Sequence, residues 1–67
     1  MIKVKLNELL EKEERSMRWV ASKTNISVST LQNLKQGKTN AISFNVLDSL
    51  CKLFKCNIED IIQYIED

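Results

Sequence analysis

Ser29, Gln32, Asn33 and Gln36 are the residues whose types and spacing first suggest chemistry. All four carry uncharged hydrogen-bonding side chains. Asn and Gln amides are the groups that pair in bidentate fashion with N6 and N7 of adenine in a DNA major groove. With Leu31 set at 0° on a helix advancing 100° per residue, Ser29 falls at about 160°, Gln36 at about 140°, Asn33 at about 200° and Gln32 at about 100°. Leu31 and Leu34 fix the buried direction at about 330°, so the four polar residues gather around the outward pole. Val28, at about 60° and close to the helix start, is placed to touch a thymine methyl group. Exposed helix faces usually carry Glu and Lys; this one carries neither at its centre.

The placement of charge points the same way. Ten Lys and Arg stand against nine Asp and Glu, for a formal net charge of +1, which alone says nothing about partners. Yet no acidic residue lies between Glu14 and Asp48, while that span holds Arg15, Arg18, Lys23, Lys35 and Lys38. One basic face with an acidic back is the electrostatic footprint of a phosphate binder. Phosphate contacts are expected from Arg18 and Lys35, from the open backbone N–H groups at helix starts near Ser16 and Ser27, and from Lys38, Thr39 and Asn40 in the loop that follows.

Other chemistries find little support. The chain has no histidine. Cys51 and Cys56 lack a base to activate them, and no paired acids or phosphate loop are evident, so an enzyme is not expected. Two thiols without histidine also fall short of a zinc site. On an unbroken helix the two cysteines would point about 140° apart, so they are expected to be reduced packing residues unless the helix ends between them. No metal, cofactor or small-molecule ligand is predicted.

The elements that must position these residues follow from pattern and caps. The 67 residues suffice for one domain, 1–67, with a small core and limited stability. A single glycine and no proline favour helices over hairpins. Leu6, Leu9 and Leu10 mark an amphipathic helix over about 5–14. Ser16 caps a second over about 17–24, with Val20 and Ala21 inward and Asn25 ending it in the left-handed region. Ile26 plugs inward, and Ser27 caps a third helix over about 28–36 that stops at Gly37. Ser43 caps a fourth over about 44–55, with Phe44, Leu47, Leu50, Cys51 and Phe54 as its inner stripe. Asn57 caps a short fifth helix, with Glu59 and Asp60 in its first turn and Ile61, Ile62 and Ile65 completing it. Ile2-Lys3-Val4-Lys5 alternates, consistent with either a short edge strand or an irregular start. The expected fold is all-α, five short helices around a leucine and isoleucine core. No apolar run approaches the ~18 residues of a membrane span, and the first residues lack the apolar stretch of a signal peptide, so a cytoplasmic protein is expected.

The segment SMRWVASKTNISVSTLQNLKQGKTN resembles the helix-turn-helix of the lambda-repressor/Cro-like (XRE) family. The matching residues are Val20, Ala21, Ile26, Leu31 and Leu34, followed by Gly37-Lys38-Thr39. FNVLDSLCKLFKCNIEDII is similar to that family's fourth and fifth helices, so the likeness covers nearly the whole chain. It implies a five-helix repressor-like domain that binds operator DNA as a symmetric homodimer. It carries base reading onto Val28, Ser29 and Asn33, and phosphate contacts onto Met17, Gln36, Lys38 and Asn40. Two positions depart from the pattern. Asn25 stands where many relatives have glycine. Met17 stands where many have glutamine, and its thioether cannot donate to a phosphate. Trp19, at a position that is often polar, is expected to pack over the first helix or to belong to a partner surface.

Two functions compete. The first is sequence-specific binding of double-stranded DNA by a transcriptional regulator. The second is a protein-interaction module, antitoxin-like, that keeps the fold but acts on another protein. A partner-only module has no need to exclude acids from one face. Tyr64 and Ile65 in the acidic tail either form a dimer interface or close the core.

Overall fold

A computed structural model describes residues 1–66. Strand β1 (Ile2–Val4) leads into α1 (Leu6–Glu13), α2 (Met17–Thr24), α3 (Val28–Lys35) and α4 (Phe44–Phe54). A single 3₁₀ turn (Ile58–Asp60) then delivers β2 (Ile62–Tyr64). The four helices lie within a residue or so of their predicted bounds.

Each boundary has a local cause. The hydroxyls of Ser16, Ser27 and Ser43 accept the N–H of Trp19, Thr30 and Val46 at 3.1 Å, capping α2, α3 and α4. The helix ends repeat one device. Glu14, Asn25, Gly37 and Lys55 adopt φ of 55°, 61°, 69° and 52°, turning the chain sharply out of the helix. After α1, α3 and α4 the next N–H bonds back five residues: Arg15 to Leu10, Lys38 to Asn33, Cys56 to Cys51. Asn25 instead closes α2 with a single bond to Ala21 at 3.0 Å, the simpler form of the same stop.

The expected fifth helix is absent, and with it the all-α description. Asn57 does begin a turn, its N–H donating to the Asp60 carboxylate at 3.0 Å, but the helical run stops after three residues. Ile62, Gln63 and Tyr64 then pair antiparallel with Val4, Lys3 and Ile2. Lys5 N–H donates to the Ile61 carbonyl at 2.6 Å and Ile65 N–H to the Met1 carbonyl at 2.7 Å, extending the ladder. The amides a helix would have used are taken by residues some sixty positions away. β-branched Ile61 and Ile62 suit a strand better than a helix, and alternation over three residues is too short to separate from helical spacing. The N-terminal alternation is thus a strand because it has this partner.

The core is Leu6, Leu9, Leu10, Val20, Leu31, Leu34, Leu47, Leu50 and Ile61. It draws on every helix and on the turn before β2. Helix α2 packs on α3 and α4, and α1 packs on α3. Ala21 and Ile26 line this core half-buried. Phe44 does not: it is 88% exposed. It sits at the edge of the α4 stripe in the first turn, where side chains lean toward the helix start and past the end of the core. Trp19 packs against the core and finds a ring partner in Phe54 of α4, centroids 6.2 Å apart and tilted 52°. Ile65 stays partly exposed at the surface. Among the described residues no helix is long and apolar enough to cross a membrane.

Candidate nucleic-acid interface

Helices α2 and α3 are joined by Asn25, Ile26 and Ser27. The turn is held from within: Thr24 Oγ1 donates to the Val20 carbonyl at 2.8 Å and accepts the Ile26 N–H at 3.2 Å. Ser27 Oγ also donates to Thr30 Oγ1 at 2.8 Å, so the cap hydroxyl is fixed on both sides. The angle between the two helices is therefore set by short-range bonds and by burial of Val20 and Leu31.

With Leu31 and Leu34 buried, Ser29, Gln32, Asn33 and Gln36 all stand exposed, and Val28 is half-buried at the first position of α3. Two different flanks border this ridge. On one side Asn33 and Thr30 share a surface groove with Thr39, Ala41, Ile42 and Ser43. On the other, Lys35 shares a shallow cleft with Arg15, Ser16 and Met17. That cleft also contains Glu11 and Glu14, so Lys35 faces carboxylates as well as cations.

The remaining phosphate candidates divide by what their side chains already do. Arg18, Lys38 and Asn40 are exposed, and no acidic partner among the described residues is bonded to them. The N–H of Lys38 is used in closing α3 on the Asn33 carbonyl, 3.0 Å away, which anchors the loop to the exposed ridge of α3. Thr39 is half-buried; its hydroxyl accepts the Ala41 N–H at 3.1 Å and donates to the Ala41 carbonyl. It shapes the loop. Ser16 and Ser27 hold their hydroxyls in the caps and offer only the backbone N–H groups of the first turn. Arg15 lies over the Trp19 ring, 4.3 Å from its centroid, in a cation–π contact that fixes the guanidinium beside the start of α2.

One contributor went unseen in the sequence. The start of α4 borders the Asn33 groove through Ser43, so a third helix N-terminus lies beside the ridge. Ser43 was legible as a cap; its nearness to Asn33 depends on the fold of the Gly37–Ile42 loop. Two salt bridges among the described residues, Lys3–Glu8 at 3.3 Å and Lys52–Asp48 at 3.0 Å, both lie off the α2–α3 pair.

Comparison with known proteins agrees with this geometry. A model of the Cro/C1-type HTH DNA-binding domain matches residues 5–67. The chain is 30% identical over 64 residues to the uncharacterized HTH-type transcriptional regulator YozG of Bacillus subtilis (strain 168), an alignment that spans 96% of this chain and 76% of that protein. No solved structure matches. With capped α2 and α3 at the helix-turn-helix spacing, a ridge of exposed amides and hydroxyls, and a family match over nearly its full length, the chain belongs to the Cro/C1-type helix-turn-helix DNA-binding domains.

Proposed function

We propose that the protein is a transcriptional regulator of the repressor type, acting in the cytoplasm, that reads a specific duplex site by laying α3 in the major groove. The observation that carries this reading is the outer ridge of α3, which is exposed, uncharged and able to donate and accept hydrogen bonds along its length. Ser29, Gln32 and Asn33 contact base edges, with Val28 against a thymine methyl. Arg18, Lys38, Asn40 and the Gln36 amide contact backbone phosphates, with Lys35 secondary because of its acidic neighbours. The first-turn amides of α2 and α3, after Ser16 and Ser27, add dipole-aligned donors. Thr39 supports the loop that holds Lys38 and Asn40.

Binding as a symmetric pair is part of the proposal. Phe44 and Ile58, 88% and 49% exposed, lie beside one surface groove that Leu47, Asp48 and Cys51 also line. This apolar surface is offered to a second copy; Tyr64, whose backbone pairs with Ile2 while its side chain stays exposed, is the other surface such a copy could take.

Fluorescence anisotropy on labelled duplex from about 50 to 200 mM salt tests the phosphate-led mode. With about four phosphates neutralised, affinity should fall about a hundredfold across that range. Affinity that stays level with salt, or no binding to any duplex, would favour the protein-interaction module instead.

A further inference from the structure

We infer that Cys51 and Cys56 form a dithiol site which a peroxide converts to a disulfide within one chain, clamping the turn between α4 and the strand that follows. Their separation along an unbroken helix does not apply, because α4 ends between them at Phe54. Lys55, at φ 52°, reverses the chain, and the Cys56 N–H bonds back to the Cys51 carbonyl at 3.1 Å. In this form of helix stop the residues at the two ends of that bond bring their side chains into contact, a place usually filled by two apolar groups. Here both are thiols, held at the two ends of that backbone bond. The other helices that end this way pair Leu10 with Arg15 and Asn33 with Lys38, so α4 is the one of the three whose stop joins two like, oxidisable side chains.

Both cysteines are reachable from the surface. Neither cysteine is fully buried and neither is in a disulfide. Cys51 opens onto the surface groove beside Phe44 and Ile58, a route that is open in the single chain and would close if a second copy paired there. Burial pushes the Cys56 thiol above its ordinary pKa, and Cys51, Asp60 and Glu13 add in the same direction, which lowers its share of thiolate and slows its own attack on an oxidant. One thiolate sulfur attacks a peroxide oxygen. The O–O bond breaks, a sulfenic acid forms, and the displaced oxygen leaves as water with the first thiol's proton. The second sulfur attacks the sulfenic sulfur, the S–O bond breaks, and a second water departs with the remaining proton. Two sulfurs are oxidised, the two peroxide oxygens are reduced, and nothing else is consumed.

Hydrogen peroxide added to the full-length chain, followed by intact mass, thiol titration and a non-reducing gel, tests the site. The expected product is a monomer lighter by two hydrogen atoms, with both thiols lost and both recovered by dithiothreitol. It should melt about 5–10 °C above the reduced chain, since the link closes a short loop in the unfolded state. The Cys51→Ser and Cys56→Ser variants should each fail to give that product while melting close to the reduced wild type. Thiols that survive the treatment, disulfides only between chains, gain of oxygen without loss of hydrogen, or an unchanged melting temperature would each overturn the inference.

Discussion

The helix-turn-helix face and the opposite side of the domain are built by different kinds of interaction. On the face formed by α2, α3 and the loop to Ile42, nearly every fixing bond is short-range. Ser16 caps three residues on, Thr24 ties off the turn within four residues, and Lys38 closes α3 on Asn33. The back is closed by long-range bonds: β1 on β2, Lys5 on Ile61, and Lys5 Nζ on the Glu59 carbonyl at 3.0 Å. The charges divide along the chain but less sharply in space: all nine acids lie outside the span from Arg15 to Leu47, yet Glu11 and Glu14 share a cleft with Lys35. The contrast teaches that the α2–α3 face is self-assembled from local signals, while the closing sheet serves to hold the scaffold under it.

The comparison can be broken or sharpened by substitution. The largest effect should come from Leu31→Ala, since Leu31 is fully buried beneath the ridge. A loss of ~2–5 kcal/mol in urea unfolding is expected, which leaves a domain of this size largely unfolded and abolishes binding with it. Ser27→Ala should cost ~1 kcal/mol of stability by removing the α3 cap. Because that cap also holds Thr30, binding should weaken more than folding, and equal losses would argue that α3 is not the reading element. Lys38→Ala should weaken binding to all sequences alike and lower the salt slope by about one, without moving the unfolding midpoint. Lys3→Ala is the control on the back. Lys3, on β1, is paired with Glu8 in an exposed bridge, so unfolding should shift by no more than ~1 kcal/mol and the salt slope should stay as it is. If Lys3→Ala and Lys38→Ala change the salt slope equally, the division into two faces fails.

The same contrast explains what could be read from the sequence. The caps at Ser16, Ser27 and Ser43, the left-handed stop at Asn25 and the inward pairs Leu9–Leu10 and Leu31–Leu34 were all legible, because each rests on neighbours within five residues. The outward ridge followed from the same arithmetic. The segment after Asn57 was not legible, because its choice between helix and strand was decided by Ile2–Val4. Phe44 misled for a related reason. Helical spacing gives the direction of a side chain but not whether the core extends that far along the axis. The groove joining Asn33 to Ser43, and the meeting of Cys51 with Cys56, likewise depend on how loops and helix ends turn.

Selection of bound fragments from a random duplex pool, by the wild-type chain and by Asn33→Ala in parallel, tests the central claim most directly. Asn33 is exposed on the ridge and its side chain is in none of the bonds that hold the fold, so the variant should keep its stability. The account predicts that the wild type enriches a defined motif and that Asn33→Ala enriches the same motif with one base pair per half-site relaxed, a loss of ~1–3 kcal/mol in discrimination there. An identical motif at identical stringency from both proteins would show that the outer face of α3 does not read the sequence.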